Sequence, residues 1–163
     1  MIDLTSTPII ILAILGTVGV ALPVINIALK EKGSVISYGY VTLIALFASI
    51  GYVLYQLALD HVAPAALFSQ DVLVDDAFGA LFAIAMLIVA IFTTVGSFNY
   101  MKNKDNPSIY FSLILLSAIG MVLVAYSTDL VMLFIAWELM SIPTYILVGF
   151  LKKDPISNEA AIK

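Results

Sequence analysis

The sequence predicts an all-α fold, a polytopic bundle of transmembrane helices with five complete spans and the start of a sixth. Three observations predict it. Hydrophobic residues make up 63% of the 163 positions and charged residues only 11%, and the mean hydropathy is +1.12. That is more apolar surface than a soluble domain of this length can hide. The apolar residues gather in five runs, each close to the roughly 20 residues that a helix needs to cross a hydrocarbon core of about 30 Å. The charges fall almost wholly between the runs. The runs are continuous rather than alternating, so helices are predicted and not barrel strands of about 10 residues.

Taken in order, the first span covers residues 8–29 and is closed by Lys30, Glu31, Lys32 and Gly33. Residues 1–6 carry Asp3 but no Lys or Arg, so the basic start of a cleaved signal peptide is not expected. The second span covers residues 34–59 and ends at Asp60 and His61; the third covers 77–100 and ends before Lys102, Lys104 and Asp105. The fourth covers 107–126, with Pro107 suited to a first helical turn. The fifth covers 130–151, closed by Lys152, Lys153, Asp154 and Pro155. Residues 1–163 are read as one membrane domain, without an internal repeat or a soluble part.

The linkers separate the charges by sign. Lys30, Lys32, Lys102, Lys104, Lys152 and Lys153 follow the first, third and fifth spans, whereas the other linkers hold Asp60, Asp71, Asp75, Asp76 and Asp129 and no Lys or Arg. By the positive-inside rule the protein is expected in the cell membrane, N-terminus outside and the lysine-bearing loops in the cytoplasm. In the long linker from Asp60 to Asp76, the β-prone Val72, Leu73 and Val74 suggest either a solvent loop or a short hairpin on the outer face. His61 reads as a solvated surface residue. Small residues inside the spans, among them Gly16, Gly19, Gly51, Gly79, Ser117 and Gly120, suit close helix packing.

Of the 11 acidic residues, only Glu138 lies deep in a span, about 12 Å from its start at Leu130. A charge there costs roughly 2.5 to 3.5 kcal/mol to insert. Once inserted, the carboxyl either stays protonated or ionises beside a cation or water, and a group poised between the two can transfer protons. At about 100° per residue, Tyr145 and Gly149 fall within about 20° of Glu138 and Ser141 about 60° away. This polar stripe is expected to face the bundle interior or a file of water, opposite Leu133, Ile135 and Leu147. Pro143 removes the backbone bond to Leu139, freeing a carbonyl near Glu138 and Ser141. A structural carboxyl bonded to a neighbouring helix remains the other reading of Glu138.

The chain has no cysteine and one histidine, so no iron–sulfur cluster, c-type haem or disulfide is expected within it. It shows no nucleophile–base pair, metal-ligand cluster or phosphate loop. Its seven basic residues, all lysine, are too dispersed for nucleic acid. Past the fifth span, Ser157 can cap a sixth helix, with Glu159 in its first turn and Lys163 placed for an i,i+4 pair with Glu159. There the chain stops, as though that helix were cut off.

The stretch FIAWELMSIPTYILVGF (residues 134–150), followed by SNEAAIK (157–163), resembles the antiporter-like membrane subunits of respiratory complex I and its relatives. It is most similar to the N-type subunit of NADH-quinone oxidoreductase and its counterpart in the F420H2 dehydrogenase of methanogenic archaea. VDDAFG at 74–79 resembles a second pattern of that family. The resemblance implies that Glu138 is the fifth-helix glutamate of the proton path and Lys163 the lysine at the start of the sixth helix, with Ser141, Pro143, Tyr145 and Glu159 in support. It implies about fourteen helices in two inverted repeats, with a buried lysine on a seventh helix as the partner of the glutamate; that helix is missing here, so an N-terminal part of a subunit is expected. It also implies that NAD or F420, FMN or FAD, iron–sulfur clusters and quinone or methanophenazine belong to other subunits, leaving no cofactor in this chain. Its expected partners are then lipid, the other membrane subunits and protons. Three readings stay open: a proton-translocating subunit of a redox-driven complex, a subunit of a multisubunit sodium/proton antiporter, and a non-catalytic membrane scaffold.

Overall fold

The computed structural model describes residues 6–28, 34–59, 72–102 and 104–151 together with Ser157, Glu159 and Ala160. Five helices follow one another: α1 (Thr7–Ala28), α2 (Val35–Ala58), α3 (Ala77–Tyr100), α4 (Pro107–Tyr126) and α5 (Leu130–Val148). Each is long and apolar enough to cross a membrane. Three start on a side-chain cap that satisfies amides with no helical partner. Ser34 accepts from the Ile36 amide at 3.3 Å, Asp76 from Gly79 at 2.7 Å, and Asp129 from Val131 and Met132 at 2.9 and 3.1 Å. α4 starts differently: Asn106 takes a left-handed conformation (φ 56°) and Pro107 opens the helix.

α4 is the central helix. It packs against each of the other four, whereas α5 packs against α4 alone. Phe111, Leu115 and Val122 of α4 meet Ile11 and Leu15 of α1, Leu46 of α2 and Leu87 of α3 in a fully buried core. In lipid such a bundle is held by close packing and interhelical hydrogen bonds rather than by expulsion of water. Gly120 sets one approach, because a Cβ there would overlap the backbone of Leu139 and Met140, while Gly19 lies in ordinary contact with Leu115 and the Ser112 backbone.

Both helices with an interior proline lean on a serine of α4. Pro23 has no N–H to give to the Gly19 carbonyl, and Ser112 Oγ donates to that carbonyl instead. Ser117 Oγ donates to the Met140 carbonyl at 3.3 Å, beside the turn that Pro143 opens in α5.

At one end of the bundle the linkers are stitched together. The Thr7 amide donates to Asp75 Oδ2 at 2.7 Å. The Val74 amide donates to the Tyr126 carbonyl at 3.0 Å and the Thr128 amide to the Val72 carbonyl at 3.2 Å, forming a single antiparallel bridge between Leu73 and Ser127. Among the described residues, the β character of residues 72–74 is met by the α4–α5 linker. Residues 60–71, His61 included, lie outside the described residues. Near the opposite end, Tyr38 OH donates to Asn26 Oδ1 at 2.6 Å, and Ser97 and Tyr110 share a bond of 3.1 Å.

α5 ends at Val148 rather than Leu151, with Gly149 as its C-cap. Ser157, Glu159 and Ala160 have helical backbone. The Ser157 hydroxyl donates to the Val148 carbonyl at 2.6 Å. The last carbonyls of α5 have no helical partner of their own, which makes one of them available. Residues 158 and 161–163 lie outside the described residues, and with them Lys163 and its expected pairing with Glu159.

Candidate proton-transfer site

The site is built on α5, whose first turn is fixed by the Asp129 cap. Ala136 is fully buried, and Pro143 is buried along the same side; Met132, Leu139 and Leu147 are partly buried against the core. This side seats on α4 because Gly120 and Ser117 leave room for the α5 backbone at Leu139 and Met140. Two residues further along the helix is about 200° around it, so Glu138 belongs to the side opposite Ala136. It is half-buried, between Phe134, Trp137 and Tyr145, which are 65%, 56% and 60% exposed.

Of the two orientations expected for the polar stripe, the one toward the interior of α1 to α4 does not hold within this chain. Glu138 and Tyr145 share a face, but within this chain that face turns away from α1 to α4. Leu133 and Leu147, expected on the far side, are partly covered, and Ile135, also expected there, lies only about 60° from Glu138 and is 52% exposed. The physical reason is that α4 is the one helix α5 touches, and its small residues fit the backbone side of Leu139 and Met140. A helical wheel orders residues around an axis without saying which way the axis is turned.

Ser141 is buried, yet its hydroxyl serves its own helix. It donates to the Trp137 carbonyl at 2.7 Å, while Thr144 donates to the Ser141 carbonyl at 2.6 Å. Among the described residues no hydrogen bond joins Glu138 to Ser141 or Tyr145. Trp137 lies on the exposed flank. Glu159 is exposed. Among the described residues no three His, Cys, Asp or Glu side chains gather into a metal centre.

Sequence reasoning missed one polar cluster, at the end of the bundle where Asp75 meets Thr7 and Tyr126. Its signal was present in the VDDAFG stretch, but two adjacent aspartates do not reveal which one reaches another helix. Asp76 caps α3, and Asp75 takes the first amide of α1.

Residues 127–163 match the family model described as "NADH:quinone oxidoreductase/Mrp antiporter, TM". The match begins in the α4–α5 linker and holds Glu138, Ser141, Pro143, Tyr145, Glu159 and Lys163. The chain is 36% identical over 158 residues to NADH-quinone oxidoreductase subunit N 1 of Solibacter usitatus, an alignment covering 96% of this chain and 30% of that protein. It is 34% identical over 159 residues to NADH-quinone oxidoreductase subunit N of Desulfitobacterium hafniense, covering 94% and 30%. It is 36% identical over 97 residues to F(420)H(2) dehydrogenase subunit N of Methanosarcina mazei, covering 60% and 20%. The chain belongs to this subunit N family. It is a multi-pass membrane protein and spans about 30% of the length of the first two of these relatives.

Proposed function

We propose that this chain is part of a proton-translocating membrane subunit of a redox-driven, complex I-like assembly, in which Glu138 passes protons and electrons travel through other subunits. The observation that carries this reading is the position of Glu138. It is an acidic residue midway along a transmembrane helix, at the centre of the one face of α5 that α4 does not cover. A carboxyl held there at a cost of roughly 2.5 to 3.5 kcal/mol is a functional group first, and a lysine on a further helix facing it would shift its proton affinity by charge alone. Lys163 is the candidate for a further step, with Tyr145 on the Glu138 face and Glu159 beside Lys163 near the cytoplasmic entrance. Ser141 and Pro143 shape the helix between them. Quinone or phenazine reduction in partner subunits, fed by NADH or F420H2, would drive the transfer. The lysine-rich linkers would lie in the cytoplasm, with the N-terminus outside.

The test is the intact complex reconstituted in vesicles with Glu138→Gln. Electron transfer should persist while proton uptake falls severalfold; unchanged pumping at unchanged electron flow would overturn the role. The matched family description also names the Mrp antiporter, which favours a second reading as part of a sodium/proton antiporter. Sodium-dependent proton exchange in vesicles without any electron donor would decide for it.

A further inference from the structure

At the acidic end of the bundle three polar atoms from three elements are buried without a hydrogen-bond partner among the described residues: Thr7 Oγ1, Asp75 Oδ1 and Tyr126 OH. Thr7 is wholly inaccessible and Tyr126 is 1% exposed. Other contacts tie the three residues together. The Thr7 amide is on Asp75 Oδ2 at 2.7 Å, so the second carboxylate oxygen is the one left over. The Tyr126 carbonyl takes the amide of Val74, next to Asp75, at 3.0 Å. The Tyr126 phenol lies in the electrostatic field of both Asp75 and Asp76, and the Tyr52 phenol in that of Asp75. Gly79 makes room for the Tyr126 ring, because a Cβ there would come within 2.7 Å of Tyr126 Cδ1.

Buried polar atoms in folded proteins are almost always satisfied, by protein or by bound water. We propose that Thr7 Oγ1, Asp75 Oδ1 and Tyr126 OH together hold one bound water molecule that joins α1, the start of α3 and the end of α4. The donor set favours water over a metal cation. A carboxylate oxygen only accepts, while the two hydroxyls can donate, so a water that donates to Asp75 and accepts from Thr7 and Tyr126 makes about three bonds, typical for a buried water. A bare cation would call for a fuller shell of oxygens than these three. The site is independent of the role given to Glu138.

The test uses the full protein in its membrane assembly. A high-resolution map should show a peak within hydrogen-bonding distance of all three atoms, unchanged when thallium replaces sodium in the buffer. A direct bond from Tyr126 OH to Asp75 Oδ1, a protein side chain in that place, or a peak that thallium occupies would each overturn the proposal. A double-mutant cycle supplies a second readout. Thr7→Val and Tyr126→Phe should each lower the thermal midpoint, and together lower it clearly less than the sum, because they release the same water. Additive losses, or a rise in the midpoint, would count against a shared ligand.

Discussion

Ser112 on α4 donates its hydroxyl proton to the carbonyl of Gly19 on α1, the carbonyl that Pro23 leaves without a helical partner. The bond converts a defect in one helix into a link between two. A Cβ at Gly19 would meet Leu115 at 3.6 Å, an ordinary contact, so it is the freed carbonyl and not the missing side chain that makes the link.

Replacing that serine should therefore destabilise the bundle, and the loss should depend on the proline. Hydrogen bonds between membrane helices are worth about 0.6 to 2 kcal/mol, so Ser112→Ala is expected to cost about that much in a detergent unfolding titration. In a Pro23→Ala background residue 23 regains an N–H for the Gly19 carbonyl. The same serine substitution should then cost much less. An equal cost in both backgrounds would mean that the bond does not compensate for the proline.

Gly120 is the point where α4 and α5 come closest, and Gly120→Ala should push them apart. Any Cβ there overlaps the Leu139 and Met140 backbone, which cannot rotate away as a side chain could. Overpacking of this kind costs about 1 to 3 kcal/mol. Gly51 and Gly96 have nothing within 4 Å of a built Cβ. Alanine at either should be neutral or gain up to about 1 kcal/mol from helix propensity. Thermal midpoints of the three variants make the comparison.

The five helices were legible because each apolar run is long enough to cross lipid and is bounded by charge, Pro or Gly. The turn of each helix about its own axis was not. The wheel placed Glu138 and Tyr145 together, and they are together, yet it left open whether they face the core or a file of water. The deciding residues, Gly120 and Ser117, lie on another helix, and nothing in the order of residues says which small side chains will meet. Pro23 could be recognised as a break, but its remedy at Ser112 lies 89 positions away in the chain. Asp75 and Asp76 show the same limit: side by side in sequence, one acts three residues away and the other 68. Glu138 was recognisable because a carboxylate in an apolar span is costly wherever the helix points.

The Asp129 cap should govern how α5 begins. Asp129→Ala removes the acceptor for two amides and is expected to cost about 0.5 to 2 kcal/mol, whereas Asp129→Asn keeps an oxygen and should recover most of it. Unfolding free energies would show this ordering. Equal losses for both substitutions would assign the effect to charge instead of the cap.

The face around Glu138 should carry water in the assembled protein if that residue moves protons, and the chain offers a clean way to see it because it contains no cysteine. Thiols react with water-soluble alkylating or methanethiosulfonate reagents only where they can ionise in contact with water. Single cysteines at Phe134 and Tyr145 flank Glu138 along its own stripe, while those at Ile135 and Ile146 lie about 60° to 80° around the helix from it. Ala136 is buried against α4. A water file predicts rapid modification at 134 and 145, slow modification at 135 and 146, and none at 136. Glu138→Gln should slow the reaction at 145 if the carboxylate helps to hold the water. Lipid against the whole face would leave all four exposed positions unreactive, and an open aqueous surface would modify all four alike. Either pattern would remove the physical basis for proton transfer along α5, because a carboxyl without a continuous path of water has nothing to exchange protons with.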